Sequence, residues 1–114
     1  IFYELSLFIE KKIEYEHNIF TLLTDLFFVR RFVDKNYITN GIIYTGFNHS
    51  TNYAYILSKY FNFDITHYSF LEKKPNELKK IISEIDMPFK LRKYLAPPKL
   101  IQCSDLTTFP ELFD

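Results

Sequence analysis

The chain has 114 residues, enough for one small domain, and its fourteen basic side chains balance fourteen acidic ones, so no net field favours nucleic acid or an anionic membrane surface. A single cysteine, Cys103, excludes an intramolecular disulfide and any C-x-x-C metal cluster, which suits a reducing compartment. Asp25, Arg30 and Arg31 interrupt the most hydrophobic stretch, so no run of about 18 uncharged apolar residues exists and no membrane-spanning helix is expected.

The first segment, Phe2 to Val33, holds neither glycine nor proline. Leu5, Phe8, Ile9 and Ile13, then the run from Ile19 to Leu23 with Leu26, Phe27, Val29 and Phe32, recur at helical spacing. Two helices are predicted, or one bent near Glu16 to Asn18, where Asn18 is an acceptable N-cap. Because Ile1 opens on a helix already in progress, residues 1–114 read as a single α/β domain or as the C-terminal fragment of a larger protein. "DKNYITNG" then closes the helical region.

"GIIYT" is a short apolar run rich in β-branched and aromatic residues, the pattern of a strand covered on both faces. Gly46 ends it, and "NHSTNYAYILSKYF" carries a helical stripe at Tyr53, Ile56, Leu57, Tyr60 and Phe61, with Ser50 or Thr51 as the expected cap. "FDITHYSF" reads as a second strand. Strand, helix and strand with short connections predict a βαβ unit, hence a small, mostly parallel sheet behind N-terminal helices.

"KKPNELKKIISEID" is expected to be a helix starting near Pro75, with Leu78, Ile81, Ile82 and Ile85 as its buried stripe. "MPFKLRKYLAPP" reads as a short helix stopped by Pro97 and Pro98, "KLIQCSDL" as a further short strand, and "TTFPELFD" as an anchored tail. A sheet this small leaves an edge and a face unpaired. Phe2, Phe8, Phe27, Phe28, Phe109 and Phe113 are therefore the residues expected to meet absent chain or a partner.

Chemistry is expected where the first strand gives way to the helix. A parallel strand ending in Gly46, followed two residues later by His49, would place that histidine at the carboxyl edge of a sheet, where open α/β folds gather ligands. Asn52 lies one helical turn further and can orient the imidazole through its amide. Asp25 and Arg30, charged residues inside an apolar helix, are costly unless paired; they are the remaining candidates for the site beside His49, and are equally read as a half-exposed charged face. The same "GFNHS" segment is equally read as an ordinary turn in which Asn48, His49 or Ser50 caps the helix. His17 and His67 read as packing or capping residues, and no nucleotide-binding glycine motif is present.

Three segments together, "LLTDLFFVRRFV", "GIIYTGFNHSTNYAYILSKYFNF" and "IQCSDLTTFPELF", resemble the C-terminal region of an uncharacterised protein family of nucleocytoplasmic large DNA viruses, the mimivirus-like giant viruses among them. The matching positions are Asp25 with Arg30 or Arg31, Gly46, His49, Asn52, Cys103 and Asp105. More distantly, the order of elements around G-x-x-H resembles the C-terminal half of the TraB/Tiki and erythromycin-esterase-like superfamily. That resemblance implies a metal-dependent hydrolase with His49 as metal ligand and a divalent metal as cofactor. The superfamily's other G-x-x-H and acidic residue are absent from this chain.

The resulting expectation is a viral α/β interaction or virion-associated module without independent catalysis, located in the virion or host cytoplasm. Its expected partners are the rest of a longer polypeptide, another protein or a second copy of itself, with no nucleic acid and no membrane. The alternative is half of a hydrolase site in which His49 serves as base or metal ligand once the missing half is supplied.

Overall fold

The computed structural model describes residues 2–69, 71–96 and 107. Helix α1 runs unbroken over Phe2–Val33, 32 residues, or about 48 Å at the usual rise per residue. The restart expected near Glu16 to Asn18 does not occur: with no glycine or proline in the run, nothing forces the hydrogen-bond ladder to break.

Helix α2 covers Phe47–Tyr60 with Gly46 at its N-cap, and helix α3 covers Pro75–Glu84 with the proline in its first turn. The N-terminal proline of α3 sacrifices no helical bond, and the Lys74 N–H ahead of it donates to Glu77 Oε2 at 3.3 Å. A 3₁₀ turn, Pro88–Leu91, leads directly into a single helical turn, α4, at Arg92–Leu95.

Helix α2 ends in a left-handed residue, Asn62, with φ 58°. The N–H groups of Phe61 and Phe63 both donate to Leu57 O at 3.1 Å, so the left-handed residue between them folds the chain back onto one carbonyl of the last helical turn. Asparagine tolerates this backbone region better than other non-glycine residues do. The sequence reading treated the same stretch as the approach to a strand.

Among the described residues there is no strand and no sheet, so the predicted α/β class and its βαβ unit are replaced by a helical fold. Residues 41–46 and 62–69 connect helices without pairing. Tyr44 is fully exposed and Ile42 nearly so, the opposite of a strand covered on both faces. β-branched residues favour extended backbone locally, but a strand also needs a partner ladder and a face to pack. Neither segment has one.

The core is instead an intersection of helices. Val29 from α1, Tyr55 and Ile56 from α2, Ile82 from α3 and Leu91 from the 3₁₀ turn form one buried cluster. Leu22, Leu57, Ile81, Ile85 and Leu95 close around it. Leu78, one turn before Ile82, is also fully buried, so α3 presents the stripe that its spacing predicts. The C-terminal end of α3 is secured by α2, where Lys59 Nζ and the Tyr55 hydroxyl, the latter at 3.3 Å, both donate to Ile85 O. Pro97, Pro98, Cys103, Asp105, Phe109 and Phe113, and with them the expected third strand, lie outside the described residues.

Candidate functional site

Three of the four candidate residues meet at the crossing of α1 and α2. Asp25 shares the inward face of α1 with Leu22 and Val29, at the i−3 and i+4 positions, and is 1% exposed. A charge on that face must be answered by another element. Helix α2 supplies two donors from successive turns: His49 Nδ1 lies 2.6 Å from Asp25 Oδ1, and Asn52 Nδ2 donates to Asp25 Oδ2 at 2.6 Å.

An ionised carboxylate only accepts, so the imidazole donates through Nδ1–H and its neutral form keeps Nε2 as the free nitrogen. The two carboxylate oxygens are thus divided between two residues one helical turn apart. Asn52 is buried, whereas the His49 side chain is 43% exposed and its opposite ring edge borders a surface hollow shared with His17, Thr21 and Asn48.

Aromatic rings wall this crossing. The Tyr53 ring lies 4.9 Å from that of Phe28 and 6.4 Å from the imidazole of His49, centroid to centroid. Burial, reinforced by the negative charge of Asp25, pushes the Tyr53 phenol up to about 12.

Arg30, the fourth candidate, does not join the site. It pairs at 3.2 Å with Asp34, just past the C-terminal end of α1, where both side chains are exposed. Helical geometry explains the separation, because Arg30 sits five residues beyond Asp25 and so projects from a different face.

Gly46 and the sheet edge also need correction. No strand delivers His49 to a sheet edge; the histidine lies in the first turn of α2. The glycine adopts φ −73° and ψ 164°, ordinary extended backbone, and a Cβ there would meet nothing within 4 Å. Ser50 and Thr51 are inside the helix rather than capping it. Thr51, wholly buried, turns its hydroxyl back to Phe47 O at 2.8 Å. His67, read as a packing or capping residue, is instead exposed with its Nδ1 3.0 Å from the Thr66 hydroxyl.

Chemically the cluster is an imidazole oriented by a carboxylate whose other oxygen accepts from the buried Asn52 amide. Among the described residues no group of three or more His, Cys, Asp or Glu is placed to hold a metal ion, and no hydrogen bond joins Ser50 to His49. Sequence reasoning assigned Tyr53 to the apolar stripe of the helix and not to the cluster. Its position one residue beyond Asn52 is the one signal that pointed there.

Residues 2–114 match a family described as a family of unknown function (DUF5847). The chain belongs to this family. It is similar to uncharacterized protein R706 of Acanthamoeba polyphaga mimivirus, 44% identical over 95 residues, which are 82% of this chain and 22% of that protein. Uncharacterized protein R161 of the same virus is 47% identical over 89 residues, 78% of this chain and 20% of its own length. For uncharacterized protein R160 the values are 40% over 91 residues, 80% and 21%. The chain therefore spans about a fifth of the length of these curated relatives.

These matches carry the giant-virus resemblance and lend no support to a TraB/Tiki or erythromycin-esterase-like origin, whose order of strands the fold also lacks. No solved structure matches the chain. Among the described residues no helix is long and apolar enough to cross a membrane.

Proposed function

We propose that this chain is a non-catalytic helical interaction module of a longer giant-virus polypeptide, in which the outer face of α1 docks against another part of that polypeptide. The observation that carries this reading is a stripe at i, i+3 and i+7 of one helix: Phe20, Leu23 and Phe27 are 69%, 50% and 71% exposed. Solvated apolar area costs about 25 cal/mol per Å², and large contiguous patches on soluble monomers mark contact surfaces. In relatives of which this chain spans about a fifth, most of the polypeptide remains to supply the opposing surface in cis.

In this reading the Asp25, His49 and Asn52 cluster is the clamp that fixes α1 against α2. A fully bonded buried carboxylate rewards one register of the two helices and penalises the others. The stripe is thereby held on a rigid support.

Dye binding and sedimentation test the proposal. The chain alone should bind a hydrophobic dye, Phe20→Ser with Phe27→Ser should abolish that binding, and a polypeptide carrying the remainder of a relative such as R706 should suppress it when added in trans. A compact monomer that binds no dye overturns the reading, and so does dye binding that survives the double substitution.

A second reading rests on the free ring edge of His49. With Nδ1 committed to Asp25, Nε2 is the nitrogen left to take a proton or a metal at the hollow beside His17 and Thr21. Hydrolytic chemistry there would require further groups from other parts of a longer protein.

A further inference from the structure

Asn52 also lines a half-open cavity of about 210 Å³ between α1, α2 and the 3₁₀ turn. Its walls are mostly apolar: Ile19 and Leu22 from α1 face Met87, Pro88 and Phe89. A cavity of about 150 Å³ lined by aliphatic and aromatic side chains accepts benzene, so this one has room for a single ring or a short branched chain with a small polar head.

Arg92 and Asn18 are among its polar lining residues. Among the described residues the guanidinium makes one hydrogen bond, from Nη2 to Asn18 Oδ1, long at 3.4 Å, while its Nε is buried without a partner. Among the described residues no carboxylate stands within ion-pair distance of Arg92. A permanent cation beside an apolar wall, held by one long hydrogen bond and by no ion pair among the described residues, calls for a stronger acceptor, and the planar fork of arginine matches a carboxylate best.

Glu14 borders the same cavity. Its negative charge disfavours a doubly charged head such as a phosphate monoester and leaves a singly charged one compatible with Arg92. We infer that the cavity binds a small apolar monocarboxylate, its head accepting from the Arg92 guanidinium and its body lying on Ile19, Leu22, Met87 and Phe89. This site stands apart from the α1 stripe and survives if that stripe has no partner.

The chain's only methionine is Met87, so a methyl-labelled sample reports the cavity through one resonance. The probes are 3-phenylpropionate and its neutral counterpart 3-phenyl-1-propanol, titrated into the 114-residue chain. The acid should shift the Met87 methyl saturably, and the alcohol should bind at least about tenfold more weakly, as expected when a charge-assisted hydrogen bond is lost. Arg92→Gln should bring the acid down to the level of the alcohol. Leu22→Trp, which fills the cavity, should abolish both while helix content by circular dichroism stays unchanged.

Equal binding of acid and alcohol to the parent chain overturns the inference whether or not Arg92→Gln folds. So does a preference for the acid that persists in Arg92→Gln, and so does the absence of any saturable shift up to about 10 mM acid, a concentration at which even a millimolar site would fill.

Discussion

Asp25 Oδ1 and His49 Nδ1 lie 2.6 Å apart across the contact of two helices, and the remaining carboxylate oxygen is taken by Asn52 at the same distance. The carboxylate is buried and the imidazole half-exposed, so the two donors are not equivalent in what they hold. Water can replace His49 at the rim, whereas Asn52 is only 3% exposed.

Removing Asn52 should therefore cost more than removing His49. Asn52→Ala leaves a buried carboxylate oxygen without its donor and should destabilise the fold by roughly 1.5–3 kcal/mol, the range for hydrogen bonds to charged groups. His49→Ala should cost less. In a double-mutant cycle, Asp25→Ala and Asn52→Ala should show a coupling of about 0.5–3 kcal/mol by urea denaturation, because each removes the other's partner. Additive effects would mean that the two side chains do not form the contact.

The Tyr53 phenol gives the fold an alkaline limit. Its folded pKa is raised from 10.0 to about 12, so the unfolded chain ionises first as pH rises and the folded chain keeps its proton. The contribution is complete below pH 10 and is lost as pH climbs toward 12. Denaturant midpoints measured at intervals from pH 9 to 12 should fall for the parent and fall less for Tyr53→Phe, which has no phenol to titrate. Parallel curves for the two proteins would show that Tyr53 does not carry the effect.

Helix α2 starts without a side-chain cap. Gly46 occupies the N-cap with extended backbone angles and empty space around its α-carbon. Serine there can accept from a free N–H of the first turn at no steric cost. Gly46→Ser should raise stability by a few tenths of a kcal/mol, the usual margin of serine over glycine at this position, visible as a small rise in Tm. A fall in Tm would reveal a need for glycine at Gly46 that the backbone angles do not indicate.

Local patterns in the sequence were legible where a helix needs only its own ladder and one apolar stripe. The proline start of α3 and its Leu78 and Ile82 are of this kind, as is the helix from Phe47 to Tyr60. Residues 41–46 misled because β-branched and aromatic side chains signal extended backbone whether or not a second strand exists to pair with it. The same error displaced His49 from a helix to a sheet edge. Asp25 could still be singled out, since a lone carboxylate in line with Leu22 and Val29 must find donors on another element. That the donors are His49 and Asn52 depends on how α1 crosses α2, a tertiary fact that spacing alone does not encode. Arg30 misled for the converse reason: its partner, Asp34, was four residues on, just past the end of its own helix.

The last prediction concerns metal. A catalytic zinc needs about three protein ligands, and the described residues offer no cluster of that size around His49. Asp25 is already divided between His49 and Asn52, so it acts on the imidazole rather than on an ion beyond it. His17 shares the hollow, but two imidazoles from separate helices leave two positions of a tetrahedron to water. Calorimetric titration of the 114-residue chain with Zn²⁺ should accordingly give only weak binding, unchanged by His49→Gln within about twofold. A one-to-one site of micromolar affinity that disappears with His49→Gln would reverse the order of the two functional readings. The hollow beside Thr21 would then be the place to look for a hydrolytic centre completed by other parts of a longer protein.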